Sequence, residues 1–214
     1  MSSQISYALN IATNRIIHIT EAQNGLKCGC QCIECGGQLE AVQGEERAKH
    51  FRHADNKICR GGLETAIHIR AKQIIAENSV ISIPGRKLSY TNARVENRLD
   101  NKRPDVTVSV NNEDVHFEIR VTNSVKEDKK QFYCDGKHKC IEIDLSDRDL
   151  FALAPEELKK LVLDKSYNKS IIYWEENRSK EVESGFSLGE ILGIGFLLFL
   201  LLLLFKFALP RKRY

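Results

Sequence analysis

Cysteine and histidine residues are concentrated in one segment, CIECGGQLEAVQGEERAKHFRHADNKIC. Five of them fall at spacings typical of metal sites: Cys32, Cys35, His50, His53 and Cys59. A C-x2-C turn brings two thiolates to one side of the chain, and zinc takes four sulfur or nitrogen ligands in a tetrahedron. We therefore expect a closed, structural zinc site. The fourth ligand stays open, because His50 and Cys59 compete for it and Cys28 and Cys30 lie nearby.

The number and setting of the cysteines indicate a reducing compartment. The chain has seven cysteines, an odd number, and it opens with MSSQISYALN, which lacks a basic and apolar leader. Without a secretory signal, clustered cysteines bind metal more often than they form disulfides. This favours metal binding over a disulfide framework.

The C-terminal region predicts a membrane span. Residues 191–205 are fifteen consecutive nonpolar residues, and Phe186–Leu209 contains only Glu190 and Lys206 as charges, both near its ends. At about 1.5 Å per residue, roughly 20 helical residues cross the hydrocarbon core. We expect a transmembrane helix over 186–209, preceded by a linker over 176–185 and followed by a basic tail over 210–214.

Two signals disagree about the orientation of this span. Basic residues are more numerous after the span than before it, which by the positive-inside rule places the C-terminus in the cytoplasm. Against this stand the absent leader, the ligands that need reduced thiols, and the roughly 185 residues that precede the span. We expect a single-pass tail anchor in the inner membrane, with the preceding domain cytoplasmic.

Net charge excludes one class of protein. The formal charge is +3, but residues 186–214 hold four basic residues and one acidic residue, so the remainder is electrically balanced. This is not the composition of a polycationic nucleic-acid coat protein. Any contact with nucleic acid must come from a local patch.

Hydrophobic periodicity predicts an α/β or α+β layout. The predicted elements are strands at 5–8 and 15–20, a cysteine-rich loop, a helix at 63–77, a strand at 87–96, a hairpin, a helix opened by a Ser124–Glu127 capping box, a strand at 139–145, a helix at 149–164 and a strand at 170–174. After residue 62 the order is helix, three strands, helix, strand, which suits a mixed sheet. We expect a zinc module over 1–61 and a second domain over 62–175.

The hairpin is predicted from RPDVTVSVNNEDVHFEIRVTNS. Asn tolerates left-handed backbone angles, so Asn111-Asn112 can form a two-residue turn. One face is then apolar and the other carries polar residues, with Asp105 directly opposite Glu118. Such like charges are destabilising. Arg120 or a divalent cation such as Mg²⁺ is expected between them; the alternative is a solvated polar face with a local Arg–Glu pair.

A helix stripe adds a third carboxylate. Glu64, His68 and Lys72 follow at intervals of four residues, so they share one face of the predicted helix. If this helix packs on the hairpin, Glu64 approaches the other two carboxylates and completes a metal site. Alone, the stripe would be an ordinary solvated surface.

Several motifs together resemble the competence protein CoiA-like nuclease family, of the PD-(D/E)xK group with the restriction-endonuclease-like fold. They are CxxC…HFRH…C, ETAIHIRAK, RPDV, FEIRVTNS and IEIDLS, and they span Cys32 to Ser146. The resemblance implies that Asp105 and Glu118 bind Mg²⁺ and that Glu64 is the helix glutamate. Arg120 stands where a lysine would activate water; it can stabilise charge but cannot act as a base.

The function implied is a membrane-anchored, Mg²⁺-dependent deoxyribonuclease, acting as an endonuclease or exonuclease on incoming or foreign DNA in bacterial competence or phage defence. His68 or Lys72 would contact the DNA backbone. One alternative is a catalytically inactive DNA-binding adaptor, which Arg120 permits. Another is a module whose zinc site docks a protein partner at the membrane. Strand preference, DNA against RNA, and oligomeric state stay open.

Overall fold

Much of the cysteine-rich region folds as sheet rather than as loop. In the computed structural model, which describes residues 5–45, 48–57, 59, 62–147, 149 and 152–175, five antiparallel strands form an N-terminal sheet in the order β2-β1-β3-β4-β5. They are β1 (Tyr7–Asn10), β2 (Arg15–His18), β3 (Gly25–Gln31), β4 (Gln38–Val42) and β5 (His50–His53). The first two were predicted with shifted ends. The prediction of a cysteine-rich loop was wrong, because β3, β4 and β5 all lie within it. Cys28 and Cys30, two residues apart on β3, are both buried on one face of the sheet.

A second, mixed sheet has the order β12-β11-β10-β9-β8. Its strands are β8 (Thr91–Val95), β9 (Val106–Val110), β10 (Glu113–Arg120), β11 (Lys139–Asp144) and β12 (Lys169–Tyr173), and a separate hairpin is made by β6 (Val80–Ile83) and β7 (Arg86–Ser89). Only β10 and β11 run parallel. Parallel neighbours need a crossover, which α2 (Glu127–Asp135) supplies. The mixed α/β layout is therefore confirmed.

The predicted hairpin register is confirmed. Asn111 and Asn112 have φ angles of 50° and 65°, as a primed two-residue turn requires. Val106 pairs with Phe117, and the ladder continues to the turn. The next positions outward are Asp105 and Glu118.

Helices cover both faces of the mixed sheet. The apolar face of the β9–β10 hairpin shares one core with α1 (Gly62–Ala76) and α3 (Pro155–Leu163). The other face lies under α2, whose only buried residue is Tyr133. Thr107 and His116 on that face are 1% and 2% exposed, so the polar face is not solvated.

Two predicted helix starts were wrong. The N-cap of α2 is Lys126, and its side chain makes no capping bond, so Ser124 and Glu127 do not form a capping box. The last helix begins with Pro155, later than predicted, because proline suits the first helical turn. The predicted strand at 87–96 is divided between β7 and β8 at Tyr90, which turns inward and donates to the carbonyl of Ile75 at 2.7 Å.

The two predicted parts of the folded region share a core. A smaller cluster belongs to the N-terminal sheet and includes Cys28, Cys30, Cys32 and Cys59. Tyr7 and Ile16, however, pack into the main core with α1 and α3, and the Tyr7 hydroxyl donates to the carbonyl of Leu153 at 2.8 Å. Residues up to Glu175 belong to one compact unit.

The predicted linker, span and basic tail, residues 176–214, lie outside the described residues. Within the part that is described, no helix combines the length and apolarity needed to cross a membrane.

Candidate functional site

Four cysteine and histidine side chains converge where the N-terminal sheet meets α1. Cys32 and Cys35 lie in the turn after β3, where Gly36, with a φ of 68°, donates its backbone N–H to the Cys32 carbonyl at 2.8 Å. His53 ends β5, and Cys59 lies just before α1. The local fold therefore brings together ligands that are up to 27 residues apart in sequence.

The spacing of these atoms fits a tetrahedral metal ion. The Sγ atoms of Cys32 and Cys59 are 3.7 Å apart, and Cys35 Sγ lies 3.2 Å from His53 Nε2. Zinc bonds of about 2.3 Å to sulfur and 2.0 Å to nitrogen give edges of about 3.8 Å and 3.5 Å. All four ligand atoms lie within 4.8 Å of one another. This cluster could bind a metal such as zinc.

The structure narrows the predicted ligands from five to four. His50 is outside the group because its Nδ1 contacts the carbonyl of Ala48 at 2.8 Å. Cys59 is inside the group with Cys32, Cys35 and His53, so of the two residues expected to compete for the fourth position, His50 and Cys59, the structure selects Cys59. Cys28 and Cys30 are also outside; their thiols contact backbone carbonyls, those of Leu39 at 3.4 Å and Cys28 at 3.3 Å.

Asp105 lies at the end of the hairpin, beside α1. Its Oδ2 accepts the backbone N–H of Ile119 at 2.8 Å and lies 3.0 Å from His68 Nε2. Lys72 Nζ is 3.7 Å from Oδ1 and 2.6 Å from the carboxylate of Glu96. The predicted stripe on α1 therefore does face the hairpin.

Whereas Asp105 contacts α1, Glu118 contacts α2. It is 4% exposed, and its carboxylate lies 2.7 Å from Lys129 Nζ and accepts a hydrogen bond from the Tyr133 hydroxyl. Lys129 Nζ also donates to the carbonyl of Arg103 at 2.9 Å. The ammonium group thus connects Glu118 to the segment that leads into Asp105.

The two carboxylates have opposite pKa shifts. Burial raises the pKa of Glu118, and the negative charge of Asp105 raises it further, against the opposing effect of Lys129. Burial alone would raise the pKa of Asp105 as well, but the bonds from His68 and Ile119 and the charge of Lys72 outweigh it, so the pKa lies below its usual value. The protein therefore stabilises the ionised form of Asp105 more than that of Glu118.

Arg120 and Glu64 do not lie between these carboxylates. Arg120 pairs with Asp144, with 3.0 Å between Nη1 and Oδ2, rather than with Glu118 as the alternative interpretation required. Glu64 accepts a hydrogen bond from the Thr122 hydroxyl. Among the described residues, the cysteine–histidine cluster is the only group of three or more metal-type side chains within 4.8 Å of one another.

A cavity opens beside Asp105, between α1 and the end of β10. Its volume is about 210 Å³, and its lining includes Glu64, Thr65, His68, Thr122 and Asn123. Polar side chains from α1 and from the segment after β10 therefore face one space, which His68 shares with its contact to Asp105.

Sequence reasoning did not find Lys129 and Tyr133. They are four residues apart on one face of α2, and this spacing was the available signal. Their partner could not be identified because it depends on which face of the sheet α2 covers.

Comparison with known proteins gives no further assignment: no protein-family model, no curated protein and no solved structure matches this chain. The residues themselves therefore carry the functional argument. They offer a cysteine–histidine cluster and, on the far side of α1, a pair of carboxylates with cationic partners.

Proposed function

We propose that this chain is a metal-dependent deoxyribonuclease with a restriction-endonuclease-like domain over residues 62–175. The observation that carries the proposal is the position of Asp105 and Glu118. They lie one position beyond the last pair of the β9–β10 ladder, Val106 and Phe117, and the negative charge of Asp105 raises the pKa of Glu118. Such repulsion at the end of a ladder is tolerated more readily where a cation is to be bound.

The chain's own residues account for a catalytic site of this class. Asp105 and Glu118 would hold Mg²⁺, which commonly uses one or two carboxylates together with substrate phosphate. When bound, the ion polarises the phosphate and lowers the pKa of a coordinated water. His68 and Lys72 both contact Asp105 in the free protein. In the complex, each would leave Asp105 and contact the DNA backbone instead. Glu64 faces the adjoining cavity.

We assign the cysteine–histidine cluster a structural role with zinc. Four protein ligands close the coordination shell, whereas catalytic zinc sites keep one position open. Three of the four side chains are buried; only Cys35 is exposed.

The decisive experiment is a cleavage assay of the purified full chain on linear, nicked and single-stranded DNA, with and without Mg²⁺. Asp105→Asn and Glu118→Gln keep side-chain volume and should lower cleavage by about 100-fold or more, because each removes a charge that stabilises the bound ion. Asp114→Asn is the matched control, since Asp114 is on the same strand but is exposed and pairs with Arg94. Equal rates in all four proteins would exclude the site.

A DNA-binding adaptor without catalysis is the second candidate. The ion pairs favour it, because the ammonium groups of Lys72 and Lys129 already lie beside Asp105 and Glu118 respectively. This candidate predicts that the wild-type chain retards DNA in gels and leaves it intact at every Mg²⁺ concentration. A protein-docking role for the N-terminal sheet has weaker support, from Ile11 and Leu26, which are about half exposed.

We also propose that residues 186–209 anchor the protein in the inner membrane with its folded domain in the cytoplasm. The support is the run of fifteen nonpolar residues. Cysteines introduced at Glu183 and after Pro210 would be tested in spheroplasts with an impermeant thiol reagent. Labelling at Glu183 and not after Pro210 would show that the orientation is the opposite of the one proposed.

A further inference from the structure

The ammonium group of Lys129 forms an ion pair with Glu118. Its Nζ lies 2.7 Å from the carboxylate and 2.9 Å from the carbonyl of Arg103, two residues before Asp105. The side chain is 23% exposed, so the amine is reachable from solvent although Glu118 is almost fully buried. A single amine thus contacts both chain segments that carry the carboxylate pair.

Arg120 cannot take this place in the observed geometry. Its guanidinium is bonded to Asp144, which also accepts from the backbone and hydroxyl of Ser146. Glu118 and Arg120 are both on β10, but their partners belong to α2 and β11 respectively. The cation that a phosphate would meet at Glu118 therefore comes from α2.

We propose that Lys129 is a catalytic residue of the nuclease, contacting the phosphate that is cleaved. This inference rests on the proposed function. In the reaction, water oxygen attacks phosphorus, the ester P–O bond breaks, and its electron pair leaves with the departing oxygen. Solvent takes the proton from water and returns one to the leaving oxygen. Lys129 transfers no proton; its positive charge offsets the charge that builds on the phosphoryl oxygens.

The geometry also gives Lys129 a second effect. While it is bonded to Glu118, it competes with any cation for the same carboxylate oxygens. Removal of its charge should therefore have two opposite consequences. Turnover should fall, and the Mg²⁺ concentration that gives half-maximal activity should fall as well.

The test uses the full chain with Lys129→Gln, which keeps hydrogen-bond donors for Glu118 and Arg103 and so favours retention of the fold. Lys130→Gln is the matched control, because the adjacent Lys130 pairs only weakly with Glu127, at 3.8 Å. For Lys129→Gln we expect kcat to fall about 100-fold and the half-saturating Mg²⁺ concentration to drop severalfold. Lys130→Gln should match wild type. Lys129→Arg, which keeps the charge, should recover part of kcat.

Several results would overturn the proposal. A Lys129→Gln protein with unchanged melting temperature and wild-type kcat excludes a catalytic role while leaving the nuclease intact. A fall in kcat with an unchanged Mg²⁺ requirement and a lowered melting temperature would indicate a structural ion pair. If wild type itself cleaves no DNA with Mg²⁺, the proposed function fails, and the role of Lys129 fails with it.

Discussion

At the scale of single residues, His50 and His53 differ in role although they are only three residues apart on one strand: His53 is a metal-type ligand and His50 is not. Both are in β5, yet His53 is buried beside Cys35 while His50 contacts a backbone carbonyl at the start of the strand. Strand alternation sends residues an odd number apart to opposite faces. Only one of the two can face the cluster.

Of the two histidines, only His53 should therefore affect the zinc content of the protein. We expect one zinc per wild-type chain, well below one in His53→Ala, and one in His50→Ala, measured by elemental analysis of the purified proteins. Loss of a structural metal removes folding free energy, so His53→Ala should also be more sensitive to protease. Equal zinc in the two variants would show that the assigned ligand set is wrong.

Lys169 gives a prediction about pH. It is 6% exposed, and its ammonium donates to the carbonyl of Leu161 at 3.1 Å. Burial lowers its pKa to about 8, against an opposing effect of Asp164. The unfolded chain keeps this proton up to about pH 10.5. Between these values the unfolded state binds more protons, so raising the pH favours folding.

The free energy of unfolding should accordingly rise with pH, from about 8 to 10.5, by up to about 3 kcal/mol more in wild type than in Lys169→Met. Urea titrations across this range measure the difference. Lys159→Met, an exposed lysine on α3, serves as control and should keep the wild-type slope. The same slope in wild type and Lys169→Met would contradict the burial argument.

At the scale of elements, the β9–β10 hairpin is the part of the fold that sequence specified best. Its turn and its register both depend on neighbouring residues: Asn111 and Asn112 accept positive φ, and alternation of apolar residues allows only one face to be buried. The C-x2-C turn was predictable for the same reason. What the sequence did not reveal was which face α2 covers, and hence the partners of Glu118.

Asn112 offers a test of the turn. Asn112→Ala should lower the free energy of unfolding by about 1 kcal/mol, because alanine is strained at positive φ, whereas Asn112→Gly should be neutral or stabilising. Asn101→Ala is the control, an exposed turn residue without positive φ. Thermal melts of the three variants measure the effect. Similar melting temperatures for Ala and Gly at 112 would mean that the turn differs from the one observed.

At the scale of the whole molecule, α1 joins the two candidate sites. A Cβ atom on Gly62 would lie 2.8 Å from Cys32 Sγ, so the helix begins directly against the cluster. Thr65 donates to Glu34 at 2.9 Å, and His68, one turn further, contacts Asp105. About two turns of α1, from Gly62 to His68, thus connect the cysteine–histidine cluster to Asp105.

Removal of the metal should therefore destabilise the start of α1 as far as His68, which contacts Asp105. With a chelator, we expect amide hydrogen exchange to speed up about tenfold or more over residues 62–68, in addition to the N-terminal sheet, while α3 and β11 keep their protection. Mass spectrometry of the full chain gives the regional rates. If the acceleration stays within residues 25–59, the cluster does not support α1.

The contact between Tyr7 and Leu153 has a consequence for synthesis on the ribosome. All four cluster ligands have been made once Cys59 is added, so the metal site can close early. Tyr7 and Ile16, however, pack in a core that α3 completes. About 100 more residues, from Cys59 to the end of α3 at Leu163, must be added, which takes roughly 5–20 s at typical rates. During that interval the oldest part of the nascent chain keeps an apolar surface uncovered, available to chaperones.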